Sequence, residues 1–179
     1  MFGAADRAIS REGMAALGFG LTVLMIGVAG GLLMQTSGSL SDGGPILSTS
    51  SEPVHATGPD AGWVRITHES GDTVAVANVD IVVSLPDHDK RARLHALPSE
   101  RLTQDDYSGN HVFTRGRAGV DGAIAAADGS DAKLEASDEV AFRIEQRRVP
   151  LEPGQTVTVT LRHTESDTRL ARERIDVIE

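Results

Sequence analysis

Two patterns of apolar residues divide the chain. From Met14 to Met34 (MAALGFGLTVLMIGVAGGLLM) the residues are apolar on every side, and no charge occurs between Gly13 and Ser41. At ~1.5 Å per residue a helix over this stretch is about 31 Å long, close to the roughly 30 Å hydrocarbon thickness of a bilayer. The pattern therefore predicts a transmembrane α-helix over 14–36. From Trp63 onward the period falls to two. Val64, Ile66 and His68 alternate with Trp63, Arg65 and Thr67, and the alternation returns in Val140, Phe142 and Ile144 and in Val157, Val159 and Leu161. Val74 to Val83 (VAVANVDIVV) reads as a more fully buried strand, joined to the first by the turn Glu69-Ser70-Gly71-Asp72. Arg93–Leu97 and His111–Arg115 are weaker strand candidates, and Leu170–Ile178 closes the set. About seven strands with turn signals between them predict an all-β, Ig-like sandwich over 63–179.

The segments between these blocks complete the expected organisation. Residues 1–13 form a polar leader, and 37–62, rich in Ser, Thr, Gly and Pro, read as a flexible linker with Ile46–Leu47 and Val54 as a short edge strand. Arg115–Ala136, rich in Gly, Ala and Asp, reads mainly as loop. Inside the apolar stretch, Ala16 and Gly20 are four apart, as are Gly27 and Gly31. Small residues at that spacing let helix backbones approach closely in lipid, which favours a helix that packs on others. The segment at Thr67–Thr73 also resembles that at His163–Thr168, which reads as two hairpins sharing one turn chemistry.

Charge narrows the function. Asp and Glu number 26 against 17 Lys and Arg, a net charge of −9, and the charges of residues 1–41 cancel. The excess lies after the apolar stretch. Such a balance suits solubility in high salt and argues against nucleic acid as a partner, which needs a basic footprint. Aromatics make up 3%, so the core must be built from Val, Ile, Leu and Ala. Cysteine is absent, which excludes disulfides, thiolate metal sites and a Cys nucleophile.

Candidate chemistry changes the picture little. The six histidines, His55, His68, His88, His95, His111 and His163, show no metal-ligand spacing, and His68 and His163 each open a turn. Asp87-His88-Asp89 reads as a solvated loop. Asp128-Gly129-Ser130-Asp131 with Glu135 lacks the alternating Asx pattern and spaced Glu of a calcium loop. Neither asparagine, Asn78 or Asn110, begins a glycosylation sequon. No nucleophile elbow, phosphate loop or dinucleotide fingerprint occurs, so the expectation is a non-enzyme without cofactor or metal.

The position of Gly13 is more specific. A secretory signal places its small residue after the apolar core, whereas Gly13 stands before it. Arg7 and Arg11 favour a cytoplasmic N-terminus. Arg11-Glu12-Gly13-Met14-Ala15-Ala16-Leu17-Gly18, followed by VAGGLLMQTSG, resembles the start of archaeal archaellins and type IV pilin-like proteins. The stretches VRITHESGDTVAVANVDIVV and LEPGQTVTVTLRHTESDTRLARERIDV look like the β-domain of haloarchaeal pilins. The resemblance implies that prepilin peptidase cuts after Gly13, leaving Met14 as the new N-terminus and Gly18 as the fifth mature residue. Glu12 stands where the family often has a basic residue, and Met14 where archaellins usually have Gln. Both departures point to a pilin-like or minor subunit.

The implied function is a structural subunit of a surface filament acting in adhesion or motility. It would be stored in membrane lipid and then packed on other copies or other pilin-like subunits through the apolar segment. The alternative is a single-pass anchored envelope protein that does not polymerise, such as a stator component of the archaellum motor or a surface binding module. The expected localisation is the cell membrane with the C-terminal domain outside, or the filament itself. Replacing Gly13 with Val is expected to abolish processing and retain the protein in the membrane, as read by mass spectrometry of its N-terminus; a variant still beginning at Met14 would contradict the assignment.

Overall fold

The computed structural model describes residues 44–179, which belong to one compact unit. Twelve strands follow in chain order: β1 (Leu47–Ser51), β2 (Val54–His55), β3 (Trp63–Gly71), β4 (Val74–Ala75), β5 (Val79–Leu85), β6 (Lys90–Leu94), β7 (Tyr107–Gly109), β8 (Val120–Gly122), β9 (Lys133–Leu134), β10 (Glu139–Arg143), β11 (Thr156–His163) and β12 (Arg169–Ile178). They form a four-stranded sheet in the order β1-β3-β10-β8, a six-stranded sheet in the order β2-β12-β11-β5-β6-β7, and a small β4-β9 ribbon. Every pairing is antiparallel except that of β2 with β12.

Alternation decides what each sheet buries. Successive side chains on a strand point to opposite faces, so Val64, Ile66 and His68 of β3 go inward while Trp63, Arg65 and Thr67 stay partly exposed. Val140 and Phe142 of β10 join them. From the larger sheet come Val79, Ile81, Val83 and Leu85 of β5 and Val157, Val159 and Leu161 of β11. All but His68 belong to a single hydrophobic core, so the two larger sheets share it. The scarce aromatics stack at one place: Phe113 meets Tyr107 and Phe142 edge-on, with centroids 5.3 and 5.6 Å away. Such pairs add about 0.5–1.5 kcal/mol beyond the area they bury.

β1 is tied in at both ends. Gly71, at φ +118°, lies so close to the Ile46 carbonyl that a Cβ would collide with it. Asp72 N–H donates to that same carbonyl at 3.0 Å, and Ile46 N–H donates to Asp72 Oδ2 at 2.9 Å. Across to the other sheet, Thr49 and Ser51 hydroxyls both reach the Glu173 carboxylate of β12.

Several expectations are corrected. The architecture of a transmembrane α-helix followed by a seven-stranded Ig-like sandwich does not stand. The described residues contain no α-helix, only strands and four short 3₁₀ turns, and none of their helices is long and apolar enough to cross a membrane. The helix expected over 14–36 falls outside the described residues, as do the leader and the small-residue pairs. The strand count rises because two- and three-residue strands carry no detectable period. The stretch read as loop holds β8 and β9. Strand does occur where it was expected within the linker, as β1 and β2, with Leu47 and Val54 buried. The hairpin expected between Trp63–His68 and Val74–Val83 does not form. A 3₁₀ turn at Val76–Asn78 breaks the second segment, and β5 crosses to the other sheet. Its counterpart at His163–Thr168 does join two paired strands, β11 and β12.

Phe142, fully buried in the shared core and edge-on to Phe113, is the largest fully buried side chain, so its loss should cost most. Phe142→Ala is expected to destabilise the full chain by about 3–5 kcal/mol, whereas Ile46→Ala, at a position 68% exposed, should stay within about 0.5 kcal/mol. Denaturant unfolding measures both, and equal midpoints would contradict this core.

Candidate functional site

The outer face of the six-stranded sheet carries the most unusual chemistry among the described residues. Directly opposed residues of paired strands share a face, so the register can be read across as rows. One row runs Arg174, Thr158, Ser84, Arg91; the next runs Arg172, Thr160, Val82, Arg93, Ser108; the third runs Arg169, Arg162, Asp80. Six of the chain's 17 Lys and Arg residues thus lie on one face of a protein whose net charge is −9.

The centre of this face is fixed by a half-buried ion pair. Asp80 lies on β5 with only 4% of its side chain exposed, and Arg93 from β6 donates to its Oδ2 through Nε at 2.9 Å and through a terminal guanidinium nitrogen as well. The Arg93 side chain itself is 54% exposed. Asp80 therefore orients a guanidinium that still faces outward. At the third row, Arg162 is held by Asp167 at 2.5 Å. Arg91, Arg169, Arg172 and Arg174 are exposed and make no ion pair with the described residues.

The other sheet behaves differently. On its outer face Arg65 is paired with Asp60 at 3.4 Å and with Glu139 at 3.8 Å, and Trp63 packs under Arg65 and Arg143. Its cations are neutralised or stacked within the fold.

An open depression of about 290 Å³ sits in the arginine face. Val82 contributes its apolar floor, and Arg91, Arg93, Arg162, Ser108 and Gly109 surround it, with the Ala92 side chain turned to the core. Four or more donors around an apolar floor suit a ligand with carboxylate or other oxyanion groups beside an aliphatic one, since guanidinium pairs best with planar oxyanions. The arrangement offers binding chemistry. It holds no side chain placed as nucleophile or general base.

The residues singled out from sequence fall elsewhere. Gly13, Met14, Ala16, Gly20, Gly27 and Gly31 lie outside the described residues. His68 is buried, with Nε2 2.9 Å from the Ser70 carbonyl and Nδ1 unpartnered. His163 Nδ1 meets the Ser166 hydroxyl at 2.8 Å, and His55 Nδ1 the Glu179 carbonyl at 2.7 Å. His88 bonds Gln155, and His111 bonds Tyr107. Asp128 accepts the Glu100 N–H, which stitches two loops together. Among the described residues no three His, Asp or Glu side chains converge as metal ligands. The arginine face was not read from the sequence. Its signal was present in Arg91-x-Arg93 and Arg172-x-Arg174, since residues two apart on a strand share a face, but the acidic total hid it.

The chain matches no protein-family model and no curated protein.

The asymmetry of the central pair gives a test. Arg93→Ala leaves a buried carboxylate without its main donors and should cost about 2–3 kcal/mol, while Asp80→Asn keeps a polar partner and frees an already exposed arginine, at about 1 kcal/mol or less. Paired denaturant unfolding curves check the order; a larger loss for Asp80→Asn would contradict it.

Proposed function

We propose that the protein is a pilin-like structural subunit of an archaeal surface filament, acting in adhesion or motility and not in catalysis. The supporting sequence features are the charge-free segment 14–34, the Gly13 before it and the strand-rich remainder. The observation that carries the proposal is how early the chain is built into the β-domain. Gly44 packs against Thr168, Ile46 is locked to Asp72, and Leu47 is buried. Only residues 35–43 then stand between the apolar segment and the domain. A subunit that must present its domain at a set orientation gains from a short join; a freely searching module gains from a long one.

In this proposal the apolar segment holds the subunit at the membrane before assembly, with its N-terminus cytoplasmic, and prepilin peptidase removes residues 1–13. Once copies leave the lipid, the apolar segments bury one another, at roughly 25 cal/mol per Å² of surface removed from water. The domain is then extracellular. Its acidic excess keeps the assembly soluble.

A second proposal, an anchored surface module that never polymerises, draws on the arginine face, which offers a binding surface without requiring assembly. Shearing separates the two. The filament proposal expects the protein in sheared extracellular material with Met14 as its first residue, by mass spectrometry. An intact Met1 together with complete retention in the membrane would overturn it and favour the anchored module.

A further inference from the structure

We propose that the depression in the arginine face receives Ile46 of a second copy of this chain, with the Asp72 carboxylate beside Ile46 pairing with an arginine at its rim. Two features of the same molecule are complementary and cannot satisfy each other within it, because they lie on different sheets. Ile46 is 68% exposed, the most exposed large hydrophobic among the described residues. It precedes β1, on an edge of the four-stranded sheet, and the depression is in the outer face of the six-stranded one.

Ile46 has a carboxylate beside it. Asp72 is bonded to its backbone in both directions. Glu69, near the end of β3, is drawn along β1 to the Ser50 hydroxyl. The result is an aliphatic knob next to one fixed carboxylate. The depression is the reverse: Val82 inside, guanidinium groups around it. At about 290 Å³ and open to solvent, it has room for a four-carbon side chain.

The geometry also sets the kind of assembly. Made one way, from the knob of one copy to the socket of the next, the contact is heterologous and generates rings or open arrays; made reciprocally it would close as a two-fold dimer, and a filament requires the one-way form. Three rows across five strands measure about 14 Å by 19 Å, well under the ~800 Å² per partner of a stable free complex. The contact is thus a lateral one between copies already held together, and in that respect it rests on the subunit proposal above.

The absence of cysteine makes a direct test possible. Ile46→Cys and Ser108→Cys are introduced together into the full chain, both at exposed positions that leave the core untouched, and the cells are treated with a mild oxidant. A disulfide forms only if the two Cα atoms come within about 7 Å. The expected result is a ladder of linked dimers, trimers and larger species. Co-expressed single variants should give dimers only, and either single variant alone no linkage. Adding Arg91→Glu should lower ladder yield tenfold or more. Sheared filaments containing the double variant but no ladder would overturn the contact and leave the subunit proposal standing. A ladder confined to membranes, with no sheared filaments, would uphold the contact and overturn the subunit proposal. No ladder, with retention of the wild-type chain on immobilised alginate that Arg91→Glu abolishes, would assign the face to an anionic glycan and overturn the contact.

Discussion

The register of β5 against its two neighbours is the constraint on which the rest of the domain depends. Val83 faces Val159 and Ala92, and Ile81 faces Leu161 and Leu94. This sets one parity of side chains into the core. The opposite parity (Asp80, Val82, Ser84) is thereby aligned with Arg162, Thr160 and Thr158 on one side and with Arg93 and Arg91 on the other. A slip of one residue would exchange the faces and drive guanidinium groups into the hydrophobic interior. The alternation that builds the core is therefore the same alternation that builds the arginine face. The Asp80–Arg93 pair adds a second lock on that register, because a carboxylate so deeply covered tolerates only a pairing that supplies its donors.

Much of the strand pattern was legible in the sequence, for a physical reason. β3 and β11 each have one face on the core and one toward solvent, so their apolar residues repeat every second position, as do Ile175 and Val177 at the end of β12. What stayed hidden lacks that signal. β2, β4 and β9 are two residues long and exist only through their partners. His111–Arg115 looked like a strand but supplies only a bridge from Phe113 to Ile144, while the strand lies earlier, at Tyr107–Gly109. The twin turn motifs are the clearest case. Thr67–Thr73 and His163–Thr168 are nearly alike, yet the second closes a hairpin and the first leads into a crossover. A turn sequence encodes a change of direction; which strand is met next depends on distant residues.

The candidate site was hidden for a related reason. Its arginines come from β6, β11 and β12, far apart in the chain, and only the sheet order gathers them. Net charge is a sum over the whole surface and is blind to such sorting. Once sorted, the charge is uneven: an arginine-rich face on the six-stranded sheet, and carboxylates of Glu69, Asp72, Glu135 and Asp138 at and beside β3 and β10 of the other. The proposed head-to-tail contact uses that unevenness and needs no second protein. The early entry of the chain into the domain and the uneven charge both suit a subunit of an assembly.

Electron cryo-microscopy of sheared surface filaments tests the central claim most directly. The expected image reconstruction places Ile46 of one copy in the depression bounded by Arg91, Arg93 and Arg162 of its neighbour, with Asp72 facing those arginines. Filaments in which every arginine face is open to solvent would contradict it.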